Sequence, residues 1–113
     1  MIQACIAALG VITLTAMSLY ANRRFSHERR LPMQWSMSGS VNWSAPRLVA
    51  LTFTPMLASA ILGAATAATM IIPPRPGQEG LEGPIILLLS LGFVAAHALH
   101  LWLIQKTLKA GGS

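Results

Sequence analysis

The sequence predicts an all-α integral membrane protein with three transmembrane helices, its N-terminus outside and its C-terminus in the cytoplasm. Three observations predict it. Only 10% of the 113 residues are charged and 54% are apolar, against about 25% charged in an ordinary soluble domain. The stretches 1–22, 48–74 and 83–105 contain no Asp, Glu, Lys or Arg, and each exceeds the ~20 residues that cross a bilayer. The basic residues are also one-sided. Arg23, Arg24, Arg29, Arg30, Arg47, Lys106 and Lys109 fall on one side of such a bundle and only Arg75 on the other, which places the first loop and the C-terminus inside.

Each element has its own justification within a single membrane domain, 1–113. The first span, 2–20, begins without a basic segment and is followed by Arg23 and Arg24. That polarity is expected of an uncleaved anchor rather than of a signal peptide. The second span, 48–72, is longer than the hydrocarbon core and contains Pro55, which removes a backbone donor and predicts a tilt or kink. Pro73 and Pro74 end it. The third span, 85–104, starts after Pro84, placed as its first helical residue, and ends before Lys106, Lys109 and the glycines Gly111 and Gly112. Residues 22–47 form a cytoplasmic loop and 73–83 a short outer loop. The spans do not alternate in polarity, so β structure is not expected. Cys5, the one cysteine, is read as a small apolar residue of span one.

The net charge of +5 flanks apolar spans and is read as an affinity for anionic lipid headgroups, not for nucleic acid. Arg23, Arg24, Arg29 and Arg30 form the basic cluster, with an acidic protein partner as the alternative. Trp35, Trp43 and Trp102 fall at the cytoplasmic interface, where indoles are favoured.

Small residues dominate span two. Ser59, Gly63 and Ala67 form one small-xxx-small ladder and Ala60, Ala64 and Ala68 a second. Gly92 and Ala96 in span three, and Ala4, Ala8 and Gly10 in span one, offer further small surface. In lipid, close backbone approach through small residues holds helices together. The ladders either close the three-helix bundle or dock a neighbouring protein or a second copy.

An ionisable residue inside a span marks a candidate site, and span three carries His97 and His100 on one face. Three readings are open. The rings hydrogen-bond another helix or headgroups; or one ligates a haem or chlorophyll-type group; or they bind a bare metal or relay protons. The spacing Ala96 to His100 resembles the Ala-xxx-His pattern of bacterial light-harvesting polypeptides, which is what the pigment reading rests on. No acidic residue occurs in a span, which disfavours metal and proton relay, and no resident cofactor is expected.

The loop from Leu31 to Trp43 is turn-rich, with Gly39 free to take a positive φ. Pro32, Trp35, Gly39 and Trp43, with Pro55 in the following span, resemble a short domain of unknown function in SdpI-like bacterial membrane proteins. Two positions depart: Gln34 stands where that domain usually has His, and Asn42 where it has Asp. The resemblance covers about a quarter of the chain. It implies a membrane context and, from one member of that group, immunity against a secreted toxin.

No nucleophile–base pair, phosphate loop or carboxylate pair is evident; Glu28, Glu79 and Glu82 lie in loops on opposite sides. The leading expectation is a non-enzymatic accessory subunit of a respiratory, photosynthetic or transport assembly in a bacterial inner membrane. It would pack against other subunits or itself. An SdpI-like immunity or sensing protein is the alternative, and a pigment-binding polypeptide the third.

Overall fold

A computed structural model describes residues 2–111 of the chain. Three helices, α1 (Ile2–Arg24), α2 (Arg47–Ile71) and α3 (Glu82–Gly111), carry between the first two a pair of strands, β1 (Arg30–Trp35) and β2 (Val41–Pro46). All three helices are long and apolar enough to cross a membrane. Only 22, 28 and 17% of the residues in their most apolar stretches are buried inside the protein. The remaining leucines, isoleucines and valines therefore need hydrocarbon around them, as a membrane protein does.

The helices outrun the predicted spans at the charged end. α1 continues a turn past Tyr20 to Arg24, and α3 runs past Ile104 through both lysines to Gly111. The loss of hydropathy marks where hydrocarbon ends, and nothing in those turns breaks a helix. At 30 residues, α3 is roughly 45 Å long, more than the ~30 Å of a bilayer core. Pro84 is the third residue of α3 rather than the first; it still falls among the four N–H positions that lack a helical acceptor. Gly112 lies outside the described residues.

The first loop corrects the all-α expectation. β1 and β2 pair antiparallel, with Arg30 opposite Pro46, Leu31 opposite Ala45 and Trp35 opposite Val41. The register slips at Met33 and returns at Asn42, a pair of irregularities that fits a strand containing Pro32. The turn closes through Ser36 N–H to Ser40 O at 2.7 Å and Gly39 N–H to Ser36 O at 3.0 Å, with Gly39 at φ +92°. Leu31 and Ala45 point under the hairpin and are buried. They pack with Ala21, Phe25, Ala50, Leu51 and Ile104 into one apolar cluster at this end. A second cluster, of Ala7, Leu14, Ala58, Leu62 and Ile86, fills the other half of the bundle.

Arg47 ties these pieces together. Its Nε donates to Asn22 Oδ1 at 2.9 Å, and its guanidinium also reaches the carbonyls of Ser26 and Glu28 at 2.7 and 2.8 Å. Its own N–H donates to Arg29 O at 2.9 Å. A residue counted only for its charge thus satisfies carbonyls in the turn that follows α1.

Packing takes the ladders out of the bundle interior and leaves the other use, docking a neighbour, open. α1 turns Ala7, Gly10, Leu14, Ser18 and Ala21 inward, and α2 turns Ala50, Leu51, Pro55, Ala58, Leu62 and Thr66 inward. The ladders Ser59, Gly63, Ala67 and Ala60, Ala64, Ala68 lie outside that stripe and are exposed, as are Gly92 and Ala96. The close approach within the bundle is instead Gly10 against Ser90, where a Cβ on Gly10 would stand 3.0 Å from Ser90 Cβ and Oγ. A Cβ on Gly92 would meet nothing within 4 Å. Gly10→Leu is expected to destabilise the fold by about 1–3 kcal/mol through overpacking, and Gly92→Leu to leave it unchanged. Reversible unfolding in mixed micelles measures both.

Candidate functional site

Between the two apolar clusters the three helices meet at a polar node, and Pro55 is its origin. Proline has no N–H, so the carbonyl four residues earlier, Leu51 O, loses its donor in the helical ladder. Ser18 of α1 supplies one: its Oγ–H donates to Leu51 O at 2.6 Å. The same Oγ lies 2.8 Å from Nε2 of His97 on α3. A hydroxyl has one hydrogen and a carbonyl only accepts. With that hydrogen directed at Leu51 O, Ser18 Oγ accepts from His97, and Nε2 carries the ring hydrogen. His97 is wholly buried, and its Nδ1 has no partner among the described residues.

One turn further along α3 the polar line reaches the hairpin. His100 Nε2 is 3.2 Å from the carbonyl of Pro32, and the Trp35 ring meets the His100 imidazole edge-on at 5.8 Å and 80°. The Trp35 indole N–H donates to Thr107 Oγ1 at 2.8 Å. His97, His100 and Thr107 thus fasten α3 to α1 and to β1, and through Ser18 to the α2 backbone.

A serine 2.8 Å from an imidazole is also the spacing of a nucleophile and its base, a pairing the sequence reading did not find. Here the proton points away from the ring. No described residue orients Nδ1, and both side chains are more than nine-tenths buried. The arrangement holds helices; activating the hydroxyl would require breaking its bond to Leu51 O. The signal that could have found it is the carbonyl freed by Pro55, whose neighbour on the inward stripe of α1 had to be a donor.

The predicted site residues distribute as follows. His97 and His100, weighed as pigment ligands, both have Nε2 committed to protein partners, and a macrocycle on either would displace Ser18 or the hairpin. Ala96, four residues before His100, is exposed. Among the described residues no three His, Cys, Asp or Glu side chains gather as a metal set. Of the interfacial residues, Arg23, Arg24 and Arg29 are exposed, while Arg30 bonds Ser44 Oγ at 3.0 Å. Trp35 is turned into the protein. Trp43 is half exposed, and its indole N–H reaches Gln34 Oε1 at 2.9 Å. Of the loop motif, Pro32, Gln34, Trp35 and Trp43 all lie in the hairpin strands, Gln34 opposite Trp43, while Gly39 forms the turn and Asn42 sits exposed at the irregularity in β2.

No family model, curated protein or solved structure matches this chain. The node and the docked hairpin are therefore interpreted from their own chemistry.

Ser18→Ala leaves Leu51 O and His97 Nε2 buried without partners, and is expected to cost about 2–6 kcal/mol at ~1–3 kcal/mol for each unsatisfied group. Pro55→Ala restores a ladder donor to Leu51 O, so the same Ser18→Ala change, which then orphans only His97 Nε2, should cost about half as much in that background. Unfolding of all four proteins in mixed micelles closes the cycle; equal costs in both backgrounds would remove the node from the account of stability.

Proposed function

We propose that this protein is a non-catalytic subunit of a larger bacterial inner-membrane assembly, working by presenting helix faces to another membrane protein. The supporting observation is that both small-residue ladders of α2 face outward. Bundle closure uses Gly10, Ser90 and the inward stripes, leaving Ser59, Ala60, Gly63, Ala64, Ala67, Ala68, Gly92 and Ala96 on the surface. A Cβ on Gly63 would meet nothing within 4 Å. Gly63, Ser59 and Ala67 line a groove of about 570 Å³ with Ala4 and Ala8 of α1. Lipid tails gain nothing from a surface of small residues, whereas a second helix gains close backbone contact. The occupant we favour is a transmembrane helix of a different protein, with a respiratory, photosynthetic or transport complex as its setting.

Gly63→Leu in the native host is expected to release the chain from its complex while leaving its own unfolding midpoint unchanged. The size and composition of the tagged protein in mild detergent reads this directly. A stoichiometric foreign subunit supports the proposal; a homo-oligomer would replace the partner with a second copy. A monomer would overturn both and leave the second reading, an SdpI-like immunity or sensing protein. That reading is favoured by the folding of Pro32, Gln34, Trp35 and Trp43 into a single unit.

The orientation belongs to the same proposal. Seven of the eight Lys and Arg residues lie at the hairpin end, which we assign to the cytoplasm. In a Cys5→Ser background, Gln78→Cys is expected to react with an impermeant maleimide in intact cells, and Ser38→Cys only after lysis. The reverse pattern would invert the topology.

A further inference from the structure

We infer that the cleft between the end of α1 and the last turns of α3 binds the phosphate of an anionic phospholipid headgroup. The cleft measures about 430 Å³ and places Arg24, Gln105 and Lys109 around an apolar floor of Phe25 and Leu108. It exists because α3 continues beyond the bilayer core, so that its last turns stand beside the end of α1. Phe25 is anchored in the lower apolar cluster and fixes the floor.

The arginines of this end are not equivalent. Arg47 and Arg30 use their guanidinium groups on carbonyls and on Ser44. Arg24 makes no hydrogen bond or ion pair among the described residues. It is exposed, lines the cleft, and offers a planar fork suited to two phosphate oxygens. Gln105 adds a neutral donor, and Lys109, His27 and Glu28 complete the lining. The apolar floor suits an amphiphile, whose glycerol and upper acyl carbons would lie against Phe25 and Leu108. The cleft opens where the apolar part of α1 ends, the level of headgroups in a membrane that α1 crosses. The inference rests on the membrane-spanning reading and not on the identity of any protein partner.

Arg23 supplies the control. It has the same charge and exposure as Arg24 and the same lack of partners, but does not line the cleft. The purified full chain, incubated with phosphatidylglycerol or phosphatidylcholine and examined by native mass spectrometry, should retain phosphatidylglycerol preferentially. Arg24→Gln is expected to lower that retention about ten-fold, the factor corresponding to the ~1.5 kcal/mol of one charge-assisted hydrogen bond. Arg23→Gln should leave it unchanged. Equal losses in the two variants, or equal retention of the two lipids, would overturn the site in favour of diffuse charge. Release of bound phosphatidylglycerol by millimolar inorganic phosphate would overturn the lipid as ligand and assign the cleft to a soluble anion.

Discussion

The carbonyl of Leu51 is the constraint on which the rest of the structure depends. A proline in the middle of a membrane helix leaves one acceptor without its donor, and no water is present in hydrocarbon to replace it. Ser18 satisfies that acceptor, and the serine oxygen then takes a hydrogen bond from His97. One missing N–H on α2 thereby fixes the rotation and height of α1 and α3. Apolar contacts alone would tolerate small slides between such helices; a shared hydroxyl with 2.6 and 2.8 Å bonds does not. The node lies between two apolar clusters, so it sets the register of both.

The membrane-spanning plan was legible in the sequence because absence of charge is a one-dimensional property. Helix ends were less so, since α1 and α3 remain helical after their hydropathy falls. The hairpin was missed for a physical reason. β1 contains Pro32 and a one-residue slip, Val41 is the only β-branched residue in either strand, and no Asn-Gly or Asp-Gly turn joins them. What holds it is tertiary: Leu31 and Ala45 beneath it, His100 and Thr107 on α3 beside it. Such partners are far away in sequence and leave no local pattern.

The small residues were legible as surfaces for close approach, with their use left open between the bundle and a partner. Counting Ala, Gly, Ser and Thr finds surfaces that permit close approach, but not which one the chain uses on itself. Leu51, Pro55, Ala58, Leu62 and Thr66 form the inward stripe of α2 because Pro55 must face Ser18. That choice rotates both ladders outward. The intramolecular close approach then falls to Gly10 and Ser90, and Ser90 had no reason to stand out in the sequence. Of the candidate site residues, the histidines were legible as unusual, but their partners were not: one is a serine and the other a backbone carbonyl.

The hairpin's attachment also has a consequence for how the chain comes together during synthesis. Residues 30–46 emerge early, between the first two membrane helices, yet His100 and Thr107, to which they are also fastened, follow only with α3. The same is true of the node, where Ser18 and Leu51 wait for His97. Ser18 and Leu51 can join, and the hairpin can settle on α1 and α2, as soon as α2 is in place. The bonds to His97, His100 and Thr107 wait for α3, which is therefore the clasp that locks a seated hairpin and a half-formed node.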